Sequence, residues 1–182
     1  MNFRLNILLF LIFFTGSLSL AQLKQLQALK KESYVTYKLT HPLHEIESTS
    51  KDIYCVISAD PAKKEIKNVS VQIDVTTFHS GNSNRDSHAM ETVDAISYPD
   101  VRFISSSLYQ EGDSLKIHGK LTFHGVTKDI YIAAMTKWTD KKLIVNGSFD
   151  ISLTVFKVPR PALLLIPVSD DLRFTLQQVF NL

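Results

Sequence analysis

Alternation with a period of two is the feature that most narrows what this chain can fold into. In Ile66–Thr77 the residues Val69, Val71, Ile73 and Val75 fall on one side, and Ser70, Gln72, Asp74 and Thr76 on the other. Successive side chains of a strand point to opposite faces, so such a segment is a strand with one buried face. Leu115–Phe123 repeats the pattern, with Leu115, Ile117, Leu121 and Phe123 against Lys116, His118, Lys120 and Thr122. Ile130–Trp138 and Leu172–Phe180 repeat it again, and Tyr34–Thr40, Ile53–Ala59, Val101–Tyr109 and Leu143–Ile151 read as further strands. Turn residues separate them: Asp60-Pro61, Glu111-Gly112-Asp113, Gly125 and Thr139-Asp140-Lys141-Lys142. Pro159–Pro167 is bounded by prolines and cannot be a central strand.

About eight strands with short connections and one apolar face each predict an antiparallel sheet covered on one side. Such a sheet needs a second layer or closure on itself. With one candidate helix, about Asn84–Ala95 within the 79–100 excursion, closure is the economical solution because it also removes exposed edges. The expected fold is all-β, a single antiparallel β-barrel of about eight strands, wide enough for side chains or one small ligand. A two-sheet sandwich is the alternative.

The chain divides into three parts in this reading. Residues 1–21 form a signal peptide: Arg4 precedes the apolar run Ile7–Phe14, and Ser19-Leu20-Ala21 offers a small-x-small cleavage site. The run is too short for a stable span, which needs roughly 20 apolar residues. Export to the periplasm or the extracellular space follows, with no membrane span left after cleavage. Residues 22–33 space Leu23, Leu26 and Leu29 three apart, which suits a short amphipathic helix or flexible leader. Residues 34–182 form the barrel domain. A formal net charge of +2 excludes a strongly electrostatic nucleic-acid binder. The lone Cys55 lies in the apolar run Ile53–Ile57 and reads as a buried, inert thiol.

The alternation stops between Phe78 and Phe103, where Gly81, Asn82, Asn84, Arg85, Asp86 and His88 crowd together. A polar excursion between two strands is a functional loop or a lid. His79, Arg85, Asp86 and His88 are its loop or mouth residues, and they define an enzyme hypothesis as well. A triad needs spatial geometry that proximity along the chain does not supply. No phosphate-cradling glycine loop or nucleophile elbow accompanies them. Six histidines invite a metal. His41 and His44, three apart, face opposite sides if they share one strand; His118 and His124 share a polar face about 20 Å apart. Neither pair has ligand spacing, so neither a catalytic nor a metal site is expected.

Two stretches resemble a known family. Asn84-Arg85-Asp86-Ser87-His88 followed by Tyr98-Pro99-Asp100-Val101-Arg102-Phe103-Ile104-Ser105 resembles the RD-x-H … YP-x-(V/I)-x-F-x-S signature of the YceI-like proteins. Gly119-Lys120-Leu121-Thr122-Phe123-His124-Gly125-Val126-Thr127-Lys128 is similar to that family's second signature, G-x-LT-x-HGVT-K. With the strand pattern, the likeness extends roughly from Tyr34 to Phe180. It implies an exported lipocalin-like barrel that holds a long-chain amphiphile, a polyisoprenoid, quinone or similar lipid, without catalysis or other cofactor. The chain departs from the pattern at Pro42–Ser50 and Phe156–Pro167, two segments placed to shape the cavity.

Strand parity then selects the cavity lining: Val71, Ile73 and Val75; Phe103; Ile117, Gly119, Leu121 and Phe123; Ile132; Phe149; and Phe174, with Phe78 added where the first of these strands ends. Gly119 shares the parity of Ile117 and Leu121, so its missing side chain either leaves room inside or permits a bulge. Burying methylenes yields about 0.8 kcal/mol each, so a 15-carbon tail gains about 12 kcal/mol before ordering costs. A lipid site therefore needs few polar anchors. The competing expectation is a structural or interaction module of the cell envelope with a solid core and no ligand. A homodimer is a partner of either.

Overall fold

A computed structural model describes residues 23–182; the signal-peptide segment 1–21 lies outside the described residues. The strands are β1 (Lys24–Gln27), β2 (Tyr34–His41), β3 (His44–Ser50), β4 (Ile53–Asp60), β5 (Glu65–Asp74), β6 (Asp100–Glu111), β7 (Ser114–Phe123), β8 (Val126–Trp138), β9 (Lys142–Ser152), β10 (Ala162–Leu163), β11 (Ile166–Pro167) and β12 (Asp171–Asn181). One helix, α1 (Ser83–Thr92), lies in the excursion between β5 and β6. Ten strands form one antiparallel sheet in the order β1-β4-β5-β6-β7-β8-β9-β12-β2-β3, while β10 and β11 form a separate two-residue hairpin.

The sheet curls strongly, and isolated bridges tie its ends back. Ala28 bridges Phe180 of β12, while its own N–H reaches the Cys55 carbonyl of β4 at 2.9 Å. At the other edge Thr49 of β3 bridges His79, with two backbone hydrogen bonds of 3.0 Å. The expected number of about eight strands is corrected to ten in the main sheet. The ladder itself runs from edge β1 to edge β3 rather than closing as an eight-stranded ring.

Residues 22–33 are neither helix nor leader where β1 lies. Lys24–Gln27 pairs with Val56–Ala59 of β4. Leucines three apart suit a helix turn, but a helix this short is marginal in water. Backbone pairing satisfies an otherwise open edge of β4, and that wins. A second correction concerns His44–Ser50, which is strand β3, joined to β2 by a two-residue connection at Pro42 and Leu43. The strand expected through Thr77 ends at Asp74, where the Asp74 carboxylate accepts the Thr76 N–H at 2.8 Å and starts a 3-10 turn, Val75–Thr77.

The inward face has two regions. At the end carrying the turns after β6 and β8, Cys55, Ile57, Leu115, Ile117, Ala134, Leu143 and Phe180 are buried and form a solid core. Toward the α1 end the same face opens. One device marks the boundary: β6 shifts register by a bulge between Ser105 and Ser107, opposite Gly119 and His118 of β7. A Cβ on Gly119 would stand 2.5 Å from the Ile104 carbonyl oxygen and 2.5 Å from the Phe103 ring. The space Gly119 leaves is therefore filled by the Phe103 ring, not empty, which is the aromatic cover of a strand glycine.

Candidate functional site: an apolar cavity under helix α1

The open half of the curl encloses a cavity of about 760 Å³, within the range of small-molecule sites. Ten of the twelve residues expected to line it do so: Val71, Ile73, Val75, Phe78, Phe103, Leu121, Phe123, Ile132, Phe149 and Phe174. Two do not. Ile117 pairs with Ile132 across the β7–β8 ladder and lies within the solid core. Gly119 is covered by Phe103. Parity assigns a face but carries no information about depth along a strand, which is why both shared the pattern of true lining residues.

Strands β2 and β12 supply lining that the sequence reading did not name: Val35, Tyr37, Leu39, Leu172 and Leu176. Alternation of Val35, Tyr37 and Leu39 along β2 was the available signal. Aromatic rings build one wall. Phe149 and Phe174 are ladder partners and stack with centroids 4.9 Å apart; Tyr37 meets the edge of Phe174 at 6.3 Å and Phe78 at 5.4 Å. Burial pushes the Tyr37 phenol up, so it stays neutral in this wall.

The mouth is polar and braced. Asn82 caps α1 by accepting the Arg85 N–H at 3.1 Å. The Asp86 carboxylate accepts the Ser80 N–H at 2.9 Å and the Ser80 hydroxyl, while Arg85 Nε donates to Ser80 Oγ at 2.9 Å. Those bonds from Ser80 hold the Asp86 carboxyl below its ordinary value, with the nearby His79 adding to the effect. Arg85, Asp86 and His88 line the mouth, whereas His79 does not, its backbone being spent on the bridge to Thr49. His79 Nδ1 lies 3.7 Å from Asp86, and His88 turns instead toward Glu91 at 3.4 Å. Ser80 thus faces a carboxylate and a guanidinium. The residues of the enzyme hypothesis lie in one loop, where Ser80, Arg85 and Asp86 are bonded to one another. Met90 and Val93 line the cavity beneath α1.

The histidine pairs are arranged otherwise than spacing suggested. Because Pro42 and Leu43 form a hairpin connection, His41 and His44 are ladder partners on one side, with ring centroids 5.0 Å apart. His41 is buried in the wall: its Nδ1 accepts the Leu43 N–H at 3.2 Å, so Nε2 carries the proton and donates to the Ile166 carbonyl at 3.0 Å. His118 lies 3.3 Å from Asp129 and stacks on Tyr131, while His124 sits in the following turn at φ 48°, so the two do not share a face. Among the described residues no group of three or more His, Cys, Asp or Glu side chains is gathered as a metal site.

The two signature stretches meet in space. Tyr98 packs on His124, with centroids 4.7 Å apart, and fills the position a Cβ on Gly125 would take, 2.5 Å from its ring. Gly125 has φ 69°, a conformation suited to glycine. With Phe103 over Gly119, each signature interlocks with the other as ring against glycine. Both segments that depart from the common pattern line the cavity, through His44 and Ile46 on one side and Val158, Pro159, Pro161 and Ala162 on the other.

A protein of Pseudomonas putida described as a UPF0312 protein is 29% identical over 141 residues, covering 72% of this chain and 73% of its own. A solved YceI protein of Campylobacter jejuni superposes with a TM-score of 0.68 at 27% identity, over 79% of this chain and 88% of its own. BcnA of Burkholderia cenocepacia shares the fold with a TM-score of 0.75 at 21% identity, covering 84% of this chain and 98% of its own. A polyisoprenoid binding domain from Saccharophagus degradans, implicated in plant cell wall breakdown, shares it at 8% identity with a TM-score of 0.63, over 88% and 99%. The family model of the YceI-like domain matches residues 27–180: the chain belongs to the YceI-like domain family.

Proposed function

We propose that this protein is a non-catalytic, exported binding protein that holds a long-chain apolar or amphiphilic ligand, such as a polyisoprenoid or quinone, in the cavity under α1. The observation that carries the reading is the cavity of about 760 Å³ walled almost entirely by aliphatic and aromatic side chains, with charge confined to its mouth. The bridges at Ala28 and Thr49 support a sheet working as a closed, lipocalin-like barrel around that ligand. A tail in the cavity is stabilised by burial alone, and a polar head at the mouth meets His44, Arg85 and His88. The S. degradans domain, polyisoprenoid-binding by its description, supports the choice of ligand class. Periplasm or extracellular space is the place where such a carrier, led by residues 1–21, acts.

The test is organic-solvent extraction of the purified protein followed by mass spectrometry, with melting curves before and after adding back a polyprenol or a quinone. A co-purifying lipid and a raised Tm are expected. Absence of any lipid together with an unmoved Tm would refute the reading.

A further inference from the structure

The segment between β9 and β12 carries a feature that packing does not explain. Its base is firmly held. The Leu153 N–H donates to the Asp170 carbonyl at 2.8 Å, Phe156, Val158 and Val168 are buried, and the Arg160 guanidinium donates twice to the Val168 carbonyl, at 2.9 and 2.6 Å. From this base the β10–β11 hairpin projects, and its tip is Leu164-Leu165. Leu164 is 76% exposed and Leu165 97% exposed, and both have positive φ, 52° and 67°. Left-handed backbone at both central positions of a two-residue hairpin suits Asn-Gly, and a leucine there is costly. Two leucines at strained, solvent-facing positions contribute nothing to the core.

We infer that this tip is a docking element for an anionic lipid bilayer, inserting Leu164 and Leu165 among the lipids and setting the cavity mouth against them. Three observations single out a bilayer. The tip is aliphatic and joined to a second exposed aliphatic turn: His41 Nε2 donates to the Ile166 carbonyl, which ties the hairpin to the connection bearing exposed Leu43. The segment is also basic. Between Leu153 and Asp170 it carries Lys157 and Arg160, both exposed, against one acid, Asp170, whose carboxylate is bonded at the base to Ser152 and Thr154. Finally, Pro159, Pro161 and Ala162 of the same segment form cavity wall, so the hairpin that bears the tip springs from the cavity wall. Apolar side chains beside basic ones are the composition that binds the headgroup boundary of anionic membranes. No helix among the described residues is long and apolar enough to cross a membrane. The inference rests on the cavity reading only for what passes through the mouth.

The test is co-sedimentation of the full chain with vesicles of phosphatidylcholine alone and of phosphatidylcholine mixed equally with phosphatidylglycerol. Leu164→Asn/Leu165→Gly is the informative variant, because it relieves the turn and holds or raises Tm while removing the apolar tip. Binding to the anionic vesicles is expected, with about a tenfold or greater loss of apparent affinity in that variant and about a fivefold loss in Lys157→Gln. Tyr131→Ser, a change on the outer sheet face far from the mouth, is expected to bind as the parent does. All variants share the same N-terminus, so its contribution cancels. Unchanged binding in the tip variant, an equal loss in Tyr131→Ser, or a parent that sediments to the same extent with and without vesicles overturns the inference. Loss of vesicle binding with extractable lipid intact supports the tip as the docking element; a lipid-free protein that still needs the tip for vesicles refutes the cavity reading alone.

Discussion

Adding one methyl group at position 119 tests the packing between β6 and β7. In Gly119→Ala the new Cβ would stand 2.5 Å from the Ile104 carbonyl oxygen and 2.5 and 2.7 Å from two carbons of the Phe103 ring. Real contacts of a Cβ lie about an ångström farther out. The ring can give way by rotating toward the cavity it lines; the carbonyl is fixed by the β6–β7 ladder. Overpacking of this kind costs about 1–3 kcal/mol, and for a chain of this size each kcal/mol lowers Tm by about 2–4 °C. A fall of about 2–12 °C is therefore expected by calorimetry or circular dichroism. Gly119→Ala/Phe103→Leu removes the ring from the conflict but leaves the carbonyl, so its cost should be less than the sum of the two single changes. An unchanged Tm in Gly119→Ala, or strict additivity in the pair, would show that the ring does not occupy the glycine's space.

Three other outcomes follow from the same structure. Asp86, held below its ordinary value of 3.8 by the bonds from Ser80, contributes stability that is present above that value and lost as pH falls through the lowered one. Thermal melts should show a constant deficit for Asp86→Asn near neutrality that shrinks below about pH 4; parallel curves throughout would refute the role of the carboxylate. Cys55 is 2% exposed and its thiol is pushed up to about 12 by burial, so iodoacetamide should label it only as fast as the protein unfolds. Labelling at the rate of a free thiol in native buffer would contradict its place in the core. Leu176→Trp, filling the cavity from β12, should bring extractable lipid down to background while the melting transition stays cooperative; undiminished lipid would place the ligand elsewhere.

Much of the sheet was legible because alternation is a local property. The faces of β5, β7, β8 and the first half of β12 and the lining positions of Phe149 and Phe174 follow from parity, and their burial agrees; at the end of β12 Gln178, Val179 and Phe180 are all buried. What escaped depends on partners distant in the chain. Lys24–Gln27 is a strand only because β4 offers an edge. His41 and His44 share a side because Pro42 and Leu43 make a hairpin, and an odd spacing means the opposite within a single strand. Ile117 and Leu121 share a parity, yet only the second reaches the cavity, since the floor is set by the Phe103–Gly119 contact between strands and by the β6 bulge. In the excursion, charge drew attention to Arg85 and Asp86, and their geometry with Ser80 makes them fasteners.

The partition of the inward face into a dense end and a hollow end has a consequence for how this chain tolerates change. Around Phe180, Leu143 and Leu115 each side chain is locked by its neighbours, so a substitution there is felt by the whole domain. At the hollow end a wall residue abuts empty volume on one side, and exchanging Leu for Met or Phe alters the shape of the chamber more than the stability of the sheet. The dense end thus acts as a foundation, and the chamber can be re-contoured while the scaffold beneath it stays the same.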